Sequence, residues 1–299
     1  MSITSDRSGA AAVKEVAVIS GKGGTGKTTV VAGFASLAAC SGPVVLADCD
    51  VDAPDLHLLL HPEIGEAHDF RASRNAFIDR DKCTGCGLCE THCRFDAIAG
   101  AVVDPLSCEG CGVCYWVCPE RAITMGEQLS GRWYVSETRY GPMVHARLEP
   151  GEENSGRLVT LVRRRARELA GERDAGVLIT DGPPGIGCPV ISTVTGADLA
   201  LVVTEPTLSG MHDLGRVLGV CRHFGVAALV CINRHDLYPE AADAIDRECL
   251  AQGIPVIGRI PYDAGVTEAI VRGVPVVEYG DTEVSRAIAG LWDEVLARL

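Results

Sequence analysis

Eight of the fourteen cysteines fall between Cys83 and Cys118, in two runs of identical spacing. The first is Cys83-x2-Cys86-x2-Cys89-x3-Cys93, the second Cys108-x2-Cys111-x2-Cys114-x3-Cys118, closed by Pro119. The 25-residue offset also relates Ile78-Asp79 to Val103-Asp104, Gly85 to Gly110, Gly87 to Gly112 and Ala97-Ile98 to Ala122-Ile123. An offset that includes non-cysteine positions is an internal repeat. Three thiolates at x2 intervals on a Gly-punctuated loop can hold three corners of an iron–sulfur cubane, with the fourth ligand from the other run. Paired CxxC zinc sites are the competing reading, but four ligands per run at 2-2-3 spacing favour clusters.

A second constellation lies upstream. The apolar run Val16–Ser20 leads into Gly21-Lys22-Gly23-Gly24-Thr25-Gly26-Lys27-Thr28-Thr29, then an Ala-rich stretch to Cys40. This is G-x4-G-K-[ST] between a strand and a helix, the context of a phosphate-binding loop. Glycines let backbone N–H groups approach phosphate oxygens, Lys27 can reach the β- and γ-phosphates, and the Thr28 hydroxyl can bind Mg²⁺.

The cysteine region, residues 75–126, resembles the bacterial two-cluster ferredoxins. The resemblance implies one [4Fe–4S] cluster on Cys83, Cys86, Cys89 and Cys118, and another on Cys93, Cys108, Cys111 and Cys114. Arg94 stands where the ferredoxin pattern has proline. The loop with its extra lysine, Lys22, is similar to that of the deviant Walker-A ATPases, the MinD, Mrp and nitrogenase-iron-protein group. There the extra lysine reaches the partner's nucleotide across a dimer interface. The resemblance further implies that Asp48, at the end of strand 44–48, sits near the metal, and that Asp50 positions or deprotonates the attacking water. It places Asp181, after strand 176–180, on a magnesium-bound water and Asn233 at the adenine edge. Asp52 and Asp55 read as carboxylates at a helix start.

Around these groups, strands are expected near 15–20, 44–48, 176–180, 199–204, 226–232 and 256–260. Helices are expected near 28–40, 157–170, 209–224, 239–252 and 283–298. The alternation implies an α/β fold, a P-loop NTPase with a mostly parallel sheet covered on both faces, plus a small α+β ferredoxin-like insertion. The expected organisation is a flexible N-terminus at 1–13, a discontinuous ATPase domain at 14–61 and 151–299, and an inserted segment at 62–150. The order resembles MinD-superfamily ATPases with an inserted ferredoxin domain. The resemblance extends through Cys93–Ile98, Pro150–Gly156, Asp181–Pro189, Thr204–Thr207 and Met211–Leu214, with Arg157 where that family commonly has lysine.

The chain has 299 residues, 47% hydrophobic and 5% aromatic, with net charge −13 and mean hydropathy +0.17. These values exclude general disorder, and the acidity argues against a nucleic-acid binder held by phosphate contacts. No apolar run is long enough for a membrane span, and 1–13 has no apolar core of a secretory signal. The expectation is a cytoplasmic protein of an anaerobic or microaerobic prokaryote, with its cysteines reduced or metal-bound. Cys40, Cys221, Cys231 and Cys249 read as core thiols, Cys49 and Cys188 as neighbours of the nucleotide switches, and Cys188 as a candidate for a transient cluster. His57 and His61 read as surface or core residues, His92 as a hydrogen-bond donor near a cluster. Arg163, Arg164, Arg165 and Arg167 read as a solvated basic face. The C-terminal helix, apolar at Val284, Ile288, Leu291, Trp292, Val295 and Leu299, suits packing on the domain better than membrane binding.

The reading is a Mg²⁺-dependent ATPase with two [4Fe–4S] clusters that couples a nucleotide-driven dimer switch to low-potential electron transfer, for metal-cluster assembly or reduction of a partner. The alternatives are an iron–sulfur cluster carrier and, less favoured, a partitioning ATPase on DNA or membrane. The expected partners are a second copy or a related ATPase subunit, and a protein that exchanges electrons or accepts clusters.

Overall fold

The computed structural model describes residues 13–152 and 155–299; the expected flexible terminus up to residue 12, and Glu153 and Asn154 of the Pro150–Gly156 motif, lie outside them. The chain divides into two units. Unit 1 takes in the described residues up to Ala67, then Trp133–Arg147 and Ser155–Leu299, and unit 2 takes in His68–Arg132 and Leu148–Asn154.

In chain order, β1 (Lys14–Ser20), α1 (Lys27–Ala39), β2 (Val44–Asp48) and α2 (His57–Leu60) open unit 1. The long strand β3 (Glu63–Ile78) runs from unit 1 into unit 2, where α3 (Leu88–Thr91), β4 (Ile98–Ala99), β5 (Val102–Val103) and α4 (Val113–Val117) follow. Strand β6 (Ile123–Thr138) brings the chain back, and β7 (Gly141–Leu148) and α5 (Ser155–Glu172) follow. The rest is β8 (Val177–Pro184), α6 (Cys188–Val194), β9 (Leu199–Thr204), α7 (Leu208–His223), β10 (Ala227–Asn233), α8 (Pro239–Ala251), β11 (Val256–Ile260), α9 (Ala264–Val271), α10 (Val276–Tyr279) and α11 (Glu283–Leu296).

Unit 1 is an α/β P-loop NTPase fold. Its strands run in the order β11-β10-β9-β1-β8-β2-β7, with β6 and β3 next in sequence of pairing. The pairs from β11 through β7 are parallel. β1 and β2 are buried almost throughout, as strands covered on both faces must be, so they read as continuous apolar runs. Strand order reverses at β1, which lies between β8 and β9. The loop after β1 therefore opens into the crevice where α/β sheets bind ligands.

Helix α1 is buried on nearly every side. Its Gly33 lets α11 approach, since a Cβ there would stand 2.8 Å from Ile288, and Phe34 meets Trp292 at 4.8 Å between ring centroids. On α11, Val284, Ile288, Leu291, Trp292 and Val295 are buried, so the C-terminal helix spends its apolar face on the core. Among the described residues, no helix is long and apolar enough to cross a membrane.

The domain boundaries differ from the expected 62–150 insertion: residues 133–147 belong to unit 1. In β7 the apolar residues Met143, Val144 and Ala146 are buried, and the strand pairs in parallel with β2 through Leu46↔Met143 and Asp48↔His145. A segment after the cysteine repeat thus joins the parallel sheet of unit 1.

Unit 2 shows the repeat in its backbone. Gly85, Gly87, Gly110 and Gly112 all have positive φ, between 62° and 75°, and so do the paired non-glycines Asp96 (52°) and Arg121 (50°). The repeats are interleaved by reciprocal bonds. Asp79 N–H donates to Ala122 C=O, and Asp104 N–H donates to Ala97 C=O, both at 2.8 Å.

Candidate functional site

The loop after β1 reaches α1 through two left-handed glycines, Gly24 (φ 79°) and Gly26 (φ 90°), a region that glycine enters without the steric cost of a Cβ. A Cβ on Gly26 would also strike Asn233 Nδ2 at 2.3 Å. Lys27 is buried, with its Nζ 3.7 Å from Asp50 Oδ2 and 3.6 Å from Asp181 Oδ1. Asp48 and Asp181 are cross-strand neighbours of β2 and β8, and Asp50 N–H donates to Asp48 Oδ1 at 3.1 Å.

Three carboxylates thus share one buried ammonium. Burial, then the charge of Asp181, pushes Asp48 well above the usual carboxylate range. Burial raises Asp181 against the pull of Lys27 and raises Asp50 to about 6, again opposed by Lys27. Asp48 Oδ2, Asp181 Oδ1 and Thr25 Oγ1 are buried without hydrogen-bond partners. Orphaned acceptors in a cluster short of positive charge are what a divalent cation satisfies, so these residues fit Mg²⁺.

The surrounding cavity, of about 650 Å³, is lined by the run Gly23–Thr29 and by Asp50, Pro183, Pro184 and Arg234. Asp52 and Asp55 also line it, and neither caps α2, whose N-cap position is Leu56 with no side-chain cap; this corrects their reading as helix-start residues. A smaller hollow shares Gly26, Thr29 and Arg234 with it and adds Asn233, Pro261 and Tyr262. Asn233 Nδ2 donates to Thr25 C=O at 2.8 Å and its Oδ1 accepts from Arg234 N–H, so the amide braces the loop. Arg234 and Tyr262 are additions to the site, as they lie outside any motif.

Lys22 leans on α7 and the strand end before it, with Nζ 3.3 Å from Glu205 Oε2, 3.3 Å from Thr207 Oγ1 and 3.4 Å from Ser209 Oγ. The other oxygen of Glu205 pairs with Arg234 at 2.5 Å.

In unit 2 a cavity of about 300 Å³ is lined by Cys83, Cys86, Cys89 and Cys118, with Gly85 and Gly87. Three of these thiols come from the first repeat and one from the second. Cys93, Cys108 and Cys114 pack at the small apolar core of Ala76, Ile98 and Ile123, as do Cys89 and Cys118 of the first set, while Cys111 is exposed. Four thiols around a cavity of this size are the donor chemistry an iron–sulfur cubane takes. Among the described residues, no three His, Cys, Asp or Glu side chains are close enough to hold a single metal ion. Ala122 N–H donates to Cys118 Sγ at 3.3 Å. His92 Nδ1 lies 2.9 Å from Leu88 C=O in its own helix turn.

The remaining residues sort by burial. Cys221, Cys231 and Cys249 are buried, whereas Cys40 is exposed and does not belong to the core. Cys49 is fully buried, and burial raises its thiol well above the ordinary range. Cys188, exposed, opens α6, and α5 approaches it so closely that a Cβ on Gly156 would stand 3.1 Å from Cys188 Cβ. His61 bonds Gly273 C=O at 2.8 Å. The four arginines of α5 are not one solvated face. Arg163, only 5% exposed, donates to Glu15 Oε1 at 2.8 Å and to Thr195 C=O at 2.9 Å, and Arg167 donates to Glu15 Oε2 at 2.7 Å. Thr180 adds a 2.9 Å bond to Glu15. The guanidinium of Arg163 thus clamps β1 and the end of α6 to α5.

Residues 16–276 match the family described as the CobQ/CobB/MinD/ParA nucleotide binding domain. An uncharacterized protein of Methanocaldococcus jannaschii is 32% identical over 288 residues, covering 95% of this chain and 96% of its own length. An iron-sulfur cluster carrier protein of Pyrococcus abyssi is 24% identical, covering 95% and 86% respectively. Among solved structures, the septum site-determining protein MinD of Pyrococcus horikoshii, complexed with Mg-ADP, shares the fold. It has a TM-score of 0.59 at 23% identity, over 95% of this chain and 97% of that one. The match over most of the chain and the lysine-bearing loop in its sheet crevice agree: this protein is a P-loop ATPase and belongs to the CobQ/CobB/MinD/ParA nucleotide-binding family.

Proposed function

We propose that the chain couples ATP-driven closure of a dimer to low-potential electron transfer through two [4Fe–4S] clusters in unit 2, for reduction of a partner or assembly of its metal cluster. The observation that carries this reading is the cavity lined by thiols of both repeats, in the same polypeptide as a P-loop. Cys83, Cys86, Cys89 and Cys118 would hold one cluster, and Cys93, Cys108, Cys111 and Cys114 the other. Such clusters, when bound, supply one-electron chemistry at low potential.

The nucleotide side rests on this chain's own groups. The N–H groups of the glycine loop and Lys27 bind and orient the phosphates, and Thr28, Asp48 and Asp181 are the set suited to Mg²⁺. Asp50, beside Lys27 and raised to about 6 by burial, would accept a proton from the attacking water. Lys22 exchanges its contacts with Glu205, Thr207 and Ser209 for the phosphates of a partner protomer. Release of that lysine is how nucleotide state would be read by the rest of the molecule.

A second reading, delivery of whole clusters to apo-proteins, is favoured by relatives named iron-sulfur cluster carrier proteins. One experiment separates the two. The protein is isolated without oxygen and titrated by EPR-monitored reduction with and without MgATP, then mixed with an apo-acceptor. A nucleotide-dependent potential shift with no iron lost supports electron transfer; iron moving to the acceptor supports the carrier. Fewer than about seven irons per chain overturns the two-cubane assignment, which requires eight.

A further inference from the structure

The sheet order sets one carboxylate between two cations. Glu205 follows β9, which lies between β1 and β10, while Lys22 follows β1 and Arg234 follows β10. Lys22 Nζ stands 3.3 Å from Glu205 Oε2, and Arg234 pairs with Oε1 at 2.5 Å. Glu205 is buried, and its backbone is pinned at two points. Its C=O accepts from Thr207 N–H at 2.8 Å, and α7 starts so close that a Cβ on Gly210 would stand 2.4 Å from that oxygen. The carboxylate therefore stays in place when Lys22 leaves.

Arg234 is a non-glycine residue in the left-handed region, at φ 55°, where a Cβ carries a steric cost. Such a conformation persists only where its surroundings fix it, and it gathers at sites and switches. Here Asn233 Oδ1 accepts from the Arg234 N–H at 3.0 Å, and the next N–H, of His235, donates to Ile260 C=O at 3.1 Å. The turn thus holds the guanidinium beside Glu205. The hydroxyls of Thr207 and Ser209 that also touch Lys22 belong to exposed residues, so water replaces the lysine there. Glu205 has no such substitute. A buried carboxylate stripped of its cations is costly, but with Arg234 on Oε1 the charge stays compensated after Lys22 has gone.

We infer that Glu205 is a latch on Lys22 and that Arg234 is the counter-ion that lets Glu205 release it. The pair is a positioning device: together they set how readily the lysine leaves its own chain. The inference rests on the reading that Lys22 serves a partner protomer, and it names the residues that set the threshold of that exchange. Loss of Arg234 makes Lys22 the cation Glu205 must keep; loss of the Glu205 charge frees the lysine whatever stands at Arg234.

The test reads the latch first within one chain. The full chain, without nucleotide, is treated with a small amine-acylating reagent, and modification of Lys22 is timed by peptide mass spectrometry. A lysine held on a carboxylate stays protonated and reacts slowly. Glu205→Gln should label Lys22 at least about fivefold faster than wild type, and Arg234→Gln at least about fivefold slower. Arg234→Lys keeps a cation on Glu205 and should label as wild type does. The double variant should match Glu205→Gln, because no carboxylate then needs a counter-ion. Dimer formation is then measured by sedimentation, with Mg²⁺ and a non-hydrolysable ATP analogue at saturation. The dimer should be at least about fivefold tighter in Glu205→Gln and weaker by a similar factor in Arg234→Gln, the second effect vanishing in the double variant. Saturation removes any change in nucleotide affinity, since Arg234 lines both cavities. Equal labelling of Lys22 in wild type and the two single variants overturns the inference. So does an Arg234→Gln defect that persists beside Glu205→Gln, because Arg234 would then act on the nucleotide itself. Labelling as expected in a chain that forms no nucleotide-dependent dimer supports the latch and defeats the reading of Lys22 between protomers.

Discussion

At the residue scale, the nucleotide site is governed by how few positive charges it contains. One buried lysine, Lys27, serves Asp50 and Asp181 directly, and Asp48 is left with an unpartnered oxygen beside them. A neutral side chain at Asp50 removes repulsion from this cluster, so binding should survive while proton acceptance is lost. Asp50→Asn is expected to lower ATP turnover at least about 100-fold, with nucleotide affinity within a few-fold of wild type. Phosphate release and fluorescent-nucleotide binding measure the two separately. An unchanged turnover would remove Asp50 from the reaction.

At the element scale, α5 and β7 carry the groups on which the sheet depends. Arg163 of α5 pairs in the interior with Glu15 of β1. Its removal takes one of two guanidinium partners from a buried carboxylate that keeps Arg167 and Thr180, a cost below the about 3–5 kcal/mol of a buried pair left wholly without its partner. Arg163→Met should lower stability by less than that in chemical denaturation, and adding Glu15→Gln should recover part of the loss. On β7, His145 accepts or donates at Ser136 Oγ, 2.9 Å away, and stacks on Tyr134. Burial first, then the charge of His57, lowers its pKa to about 4. The unfolded chain therefore takes up a proton near pH 6.5 that the folded chain refuses until about 4. Stability should be full above pH 6.5 and fall as pH drops towards 4, by up to about 3 kcal/mol. Thermal melts of His145→Gln should show a shallower slope across that window.

At the scale of the whole molecule, the expected behaviour joins parts distant in sequence. The cavity lined by Cys83, Cys86 and Cys89 is completed by Cys118, so Cys118→Ser should cost about four irons per chain although the first run is intact. Iron analysis of the anaerobic protein reads this directly, and full iron retention would contradict the crossed assignment. Lys22 contacts Glu205, Thr207 and Ser209 of its own chain, yet the proposed switch uses it between chains. Lys22→Ala should therefore leave ATP binding by the single chain nearly unchanged while abolishing its ATP-dependent dimer in light scattering.

The sequence by itself determined the phosphate loop and the two cysteine runs, because both depend on local spacing. A loop that needs Gly24 and Gly26 at positive φ, or three thiols at x2 intervals, writes its constraint into consecutive residues. The buried strands of the parallel sheet were legible for a similar reason, since burial on both faces demands an unbroken apolar run. Tertiary structure decided what depends on partners far along the chain. It placed β7 beside β2 in unit 1, although its short apolar run carries no label naming the sheet it joins. It turned Arg163 inward, because only the fold brings Glu15 within reach of α5. It left Tyr115 and Trp116 in solvent where the same apolar composition, read along the chain, would suit a core. Spacing encodes local geometry, but burial and pairing are properties of the assembled chain.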